Sequence, residues 1–118
     1  MAVLRNDSAF TGRVLRAVCR VRPGHVATYG DIAAAAGRPR AWRAVGNILR
    51  TCSARTVPCH RVIAAGGKLG GYGSSPHLKA SLLRAEGVVI TGTRVKDWRA
   101  RRFPVPAKGP ARRTGGQG

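Results

Sequence analysis

Two short apolar-periodic segments between Thr28 and Arg50 are separated by only Gly37-Arg38-Pro39, a spacing that leaves room for a tight turn and little else. Thr28 can cap the first segment, and Asp31, three residues on, can answer it as a variant of the capping box. Ile32 and four consecutive alanines then run to Gly37, which supplies a helix stop. Pro39 stands where a first-turn proline belongs, so the second helix is expected from Arg40 to about Arg50. Ala41, Val45, Ile48 and Leu49 share one face of it, while Arg40, Arg43, Asn47 and Arg50 share the other. Two short helices, a glycine-containing turn and a basic outer stripe form a helix-turn-helix pattern. An ordinary solvated helix pair has the same pattern.

The remaining segments fit around this pair. From Phe10 the apolar positions Phe10, Val14, Ala17, Val18 and Val21 recur at helical spacing until Pro23-Gly24. Cys19, on or beside that helix, reads as a small buried thiol. Thr56 to Ile63 is an apolar extended stretch in which Pro58 lacks a ladder donor, so a turn or bulge is expected at Cys59-His60. Ala65-Gly66-Gly67-Lys68 makes a turn, and Gly70 to Ser75 is a glycine-rich loop that matches neither a phosphate-binding nor a dinucleotide-binding pattern. Ser75-Pro76 opens another helix carrying Leu78, Leu82, Leu83 and Ala85, ended by Gly87, and Val88-Val89-Ile90 reads as a short strand. The expected organisation is an N-terminal segment over 1–9, a mainly α domain with a small β-element over 10–98, and a basic Pro/Gly/Arg-rich tail over 99–118.

Charge narrows the partners. In 118 residues, 22 Lys and Arg face 4 Asp and Glu, a formal net charge of +18, with 43% hydrophobic residues to build a core. A folded cation of this kind is drawn to polyanions. No apolar run approaches the ~20 residues that span a bilayer, and the N-terminus has no secretory pattern, so a cytoplasmic protein with no membrane partner is expected. Three cysteines argue against a disulfide framework. Cys52, Cys59, His60 and His77 lack zinc-site spacing, so no metal is expected.

The segment with most chemistry is Pro58-Cys59-His60-Arg61. A thiol reacts as its thiolate, which a neighbouring imidazole or guanidinium favours, yet adjacent side chains of an extended strand point apart. His60 can act on Cys59 only if the backbone turns there or a water bridges them. Taken alone, such a pair is more often structural or accidental than catalytic.

Pro58-Cys59-His60-Arg61-Val62-Ile63 resembles the active-site motif of the O6-alkylguanine-DNA alkyltransferases, the methylated-DNA–protein-cysteine methyltransferases. The resemblance runs from about Phe10 to Trp98. Thr28-Tyr29-Gly30, Arg43-Ala44-Val45-Gly46, Gly71-Tyr72 and Leu82-Leu83-Arg84-Ala85-Glu86-Gly87 follow in the family's order. It implies a winged helix-turn-helix that binds duplex DNA, extrudes O6-alkylguanine and moves the alkyl group to cysteine without a cofactor. By this resemblance Cys59 is the nucleophile, His60 its base through a water, and Glu86 the group that orients the imidazole. Arg43 matches the family's intercalating arginine, Tyr29 a tyrosine near the target phosphate and base, and Tyr72 a pocket tyrosine beside Pro58 and Gly73. Arg40, Asn47 and Arg61 complete the expected DNA-binding set.

The chain departs from the family's pattern in three places. It has no room for the extra N-terminal domain of full-length members. The stretch from Gly46 to Cys59 is about one residue short and lacks an expected asparagine, and Gly73 stands where a serine usually follows the pocket tyrosine. Compact alkyltransferase-like relatives, which bind alkylated DNA, lack the reactive cysteine and recruit nucleotide excision repair proteins, supply the alternative function. A general architectural DNA-binding module is a third. A monomer suffices for each.

Overall fold

The computed structural model of the chain describes residues 2–51, 57–70 and 76–103. Helix α1, Ala2–Cys19, begins ahead of the periodic stretch. Phe10, Val14, Ala17, Val18 and Val21 are all buried, as their spacing predicts. Cys19 is exposed rather than buried. It lies three positions beyond the exposed Arg16 and so shares the solvent face of the helix.

Strand β1, Ala27–Thr28, leads directly into α2, Tyr29–Ala35. The Thr28 hydroxyl accepts from the Asp31 amide at 3.0 Å, and the Asp31 carboxylate accepts from the Thr28 amide at 3.0 Å, completing the capping box. At the far end Gly37 takes a φ of +93°, which lets Arg38 N–H return to Ala33 O at 2.9 Å and turns the chain towards the next helix. Pro39 does not open that helix. Ala41 N–H bonds Arg38 O at 2.9 Å, so Pro39 is the second residue of a β-turn, and α3 runs from Trp42 to Arg50. Val45 and Leu49 face inwards, while Arg43, Asn47 and Arg50 lie outside.

After α3 the chain returns through a 3-10 turn, Cys59–Arg61, into strand β2, Val62–Ile63, which pairs in parallel with β1. This two-stranded ladder is the seam between two apolar cores. Ala27 and Val62 join α1, α2 and α3 on one side, whereas Val26 and Ile63 join Leu69, Leu83, Val88 and Val95 on the other.

Helix α4, Pro76–Ala85, closes with Val88 N–H on Leu83 O at 3.0 Å. That bond draws Val88 into the helix end, so the expected strand starts later. β3, Ile90–Thr91, forms an antiparallel hairpin with β4, Arg94–Val95, as the wing. On α4, Leu78 of the apolar set is 49% exposed, whereas Lys79 is only 1% exposed.

Helix α5, Trp98–Arg101, and the residues up to Phe103 are part of the fold rather than the start of a tail. Val26 donates to Arg101 O at 3.0 Å and accepts from Phe103 N–H at 2.7 Å, and Arg102 forks onto the Asp31 carboxylate. Gly67, at φ +88°, lies under Trp98, where an added Cβ would sit 2.5 Å from the indole Cδ1. The result is a mainly helical, winged helix-turn-helix domain, with two small sheets among the described residues. Among the described residues no helix is long and apolar enough to cross a membrane.

Candidate functional site

The turn expected at Cys59-His60 is the 3-10 turn, closed by Arg61 N–H on Pro58 O at 3.0 Å. With three residues per turn, consecutive side chains diverge by about 120°. Cys59 enters the first core and is 5% exposed. His60 and Arg61 both reach Glu86, just beyond α4.

Glu86 accepts from His60 Nε2 at 3.0 Å, from Arg61 Nε at 3.0 Å and from Arg61 Nη2 at 2.6 Å. Burial pushes its carboxyl up, but the hydrogen bonds from Arg61 and His60 and their charges outweigh this and hold it below its ordinary value. An ionised Glu86 can only accept, so Nε2 carries the hydrogen and Nδ1 is the basic nitrogen of the neutral ring. Nδ1 is buried and has no hydrogen-bond partner among the described residues.

Helix α4 brings a lysine towards the thiol. Lys79 donates to Val62 O at 2.7 Å, lies 5.8 Å from the Tyr29 ring centroid, and is within electrostatic reach of Cys59. Burial pushes its pKa down to about 8, opposed by the charge of Cys59. Tyr29, half-buried at the start of α2, is held above its ordinary value by burial and then by Cys59, so at neutral pH the phenol keeps its proton.

The structure therefore brings Cys59, His60, Glu86 and Tyr29 together, with Pro58 at the entry to the turn. Arg61 is a correction: expected on DNA, its side chain is 14% exposed and turned inwards, with Nη1 on Val21 O at 2.8 Å and the rest of the fork on Glu86. Arg40, Arg43 and Asn47 are exposed on the turn and α3, a separate surface. Tyr72 and Gly73 lie outside the described residues.

Two residues were missed in the sequence. Lys79 precedes the buried Leu83 by four positions, and a lysine on that stripe was the available signal. Trp42, 50% exposed beside Arg43, was obscured by the arginines around it. No group of three or more His, Cys, Asp or Glu suited to a metal occurs among the described residues.

The family described as "6-O-methylguanine DNA methyltransferase, DNA binding domain" matches residues 9–88. The chain belongs to this family. The methylated-DNA–protein-cysteine methyltransferase of Methanosarcina barkeri is 45% identical over 78 residues, covering 65% of this chain and 49% of that protein. The DNA base-flipping protein of Escherichia coli K12 is 37% identical over 91 residues, 76% of this chain and 70% of that one. Among solved structures, S. pombe Atl1 in complex with damaged DNA containing O6-carboxymethylguanine aligns with a TM-score of 0.73 at 32% identity, over 81% of this chain and 95% of that chain. Mycobacterium tuberculosis OGT in complex with DNA aligns with a TM-score of 0.63 at 44% identity, over 66% and 48%. The chain thus spans about half the length of the methyltransferase relative from M. barkeri.

Proposed function

We propose that this protein extrudes O6-alkylguanine from duplex DNA and accepts the alkyl group on Cys59 in a single turnover. The observation that carries this reading is a buried thiol on the same short turn as a histidine whose other nitrogen is held by a carboxylate. The thiol proton passes to His60 Nδ1, directly or through a water. Glu86 stabilises the resulting imidazolium, while Lys79 favours the thiolate electrostatically. The sulfur attacks the alkyl carbon, a C–S bond forms as the C–O6 bond breaks, and the electron pair leaves on the guanine oxygen. Proton return from the imidazolium regenerates neutral guanine, and the thioether remains. No cofactor enters this balance.

Arg43, Arg40 and Asn47 provide the outer surface for the duplex, and an extruded base reaches the thiol past Tyr29. Tyr72 and Gly73 are proposed as pocket residues through the resemblance. The Atl1 alignment, which covers almost all of that chain, favours a second reading: a lesion sensor without transfer. Intact-mass measurement separates the two. With a stoichiometric O6-methylguanine duplex, one added methyl mapped to Cys59 is expected, and C59A should bind without transfer. An unmodified wild-type protein that still prefers the damaged duplex overturns transfer and leaves the sensor.

A further inference from the structure

Among the residues whose burial is described, only Trp42, Leu78 and Val89 are large hydrophobic side chains exposed to about half. Trp42 differs from the other two in its setting. It opens α3, its ring lies 5.1 Å from the Arg43 guanidinium carbon, and Arg38, Arg40 and Arg50 are exposed on the same turn-and-helix unit. An apolar protein partner would have to desolvate these charges to reach the indole. A partner that carries both phosphates and flat aromatic faces suits the surroundings without that cost, because the arginines meet the phosphates and the indole meets a base.

We propose that Trp42 is a nucleic-acid contact that acts with Arg43 as one wedge. The indole supports the guanidinium through a cation–π contact and presents its exposed surface to a base unstacked by DNA opening. A leucine or alanine at this position would retain or lose bulk without offering a π-face. The inference rests on the helix-turn-helix meeting DNA, as in the proposed function, but it requires no transfer chemistry. It adds a residue whose contribution is stacking rather than phosphate neutralisation, and the two have different salt signatures.

The test is fluorescence-anisotropy titration of the full chain with a labelled duplex carrying O6-methylguanine, over a series of salt concentrations. W42A is expected to weaken binding roughly five- to hundred-fold, W42F to recover most of it, and W42L to recover little. The slope of log affinity against log salt should stay unchanged in W42A and fall by about one in R43A. Intrinsic emission should be quenched on binding in the wild type, with the quenched component absent from W42F. The double variant W42A/R43A should lose clearly less than the two single losses combined. Circular dichroism confirms folding of each variant. Binding by folded W42A within two-fold of wild type overturns the proposal, as does full recovery by W42L. Absent methyl transfer with weakened W42A binding refutes the transfer reading alone; transfer with unaltered W42A binding refutes the wedge alone.

Discussion

Replacing Lys79 by methionine tests whether the buried ammonium is retained for chemistry at the expense of stability. Lys79 is 1% exposed and its pKa falls from 10.5 to about 8 on burial. A displacement of that size corresponds to about 3 kcal/mol of unfavourable charging in the folded state at neutral pH. Methionine fills a similar volume without charge, but Val62 O loses the 2.7 Å donor, a loss of about 1–3 kcal/mol. K79M should therefore be as stable as the wild type at pH 7, or more stable by up to about 2 kcal/mol. Between pH 8 and the unfolded lysine value the unfolded state binds the extra proton, so the wild type gains stability as pH rises and the difference shifts in its favour. Urea unfolding at pH 7 and pH 9.5 measures both quantities. The methyl-transfer rate at pH 7 should meanwhile fall at least ten-fold, because the thiolate loses its nearby cation. A K79M protein less stable by 2 kcal/mol or more at pH 7, or one with an unchanged transfer rate, would refute the reasoning.

Glu86→Gln removes the carboxylate shared by His60 and Arg61, and should lower stability at pH 7 by about 2–4 kcal/mol. Because the folded Glu86 value is depressed, its contribution is present above the ordinary carboxyl value and lost as pH falls through the folded one. The wild type and E86Q should therefore converge in thermal unfolding as pH is lowered from 7 to 3, and a constant gap would count against this account. Gly67→Ala combines a positive φ with a 2.5 Å approach to the Trp98 ring, and should lower stability by about 2–4 kcal/mol in urea unfolding. Gly37→Ala shares the positive φ but meets nothing within 4 Å, so its loss should be about 1 kcal/mol. Equal losses at the two glycines would discount the Trp98 contact.

Features set within four residues of chain were legible. Thr28 and Asp31 cap the same helix start, so their reciprocal bonds could be anticipated from spacing alone. Pro39 was ambiguous because one φ suits both the first turn of a helix and the second position of a β-turn, and the Arg38–Ala41 bond decides between them. Arg61 was misplaced because a solvated arginine and a buried one look identical in sequence, and the acceptor that draws it inwards lies 25 residues away. Lys79 was hidden for the same reason: its acceptor Val62 is 17 residues away, and Tyr29 comes from another helix. The reactive role proposed for Cys59 rests on the family resemblance, since a Cys-His pair alone is also compatible with packing.

The inward turn of Asp31 and Glu86 shapes how the molecule looks from a distance. The chain has only 4 acids, and these two have side chains 15% and 18% exposed and are bound to Arg102 and to Arg61 with His60. Asp97 is the one acid with an exposed side chain among the residues whose burial is described. Among these residues, then, little negative charge is turned outwards against a formal net charge of +18. Under the proposed function a duplex is attracted to such a body with little regard to attitude, and the productive attitude is selected on touching, by short-range fit. On that reading encounter is easy and indiscriminate, and the choice of a lesion falls to the few side chains proposed to meet the bases.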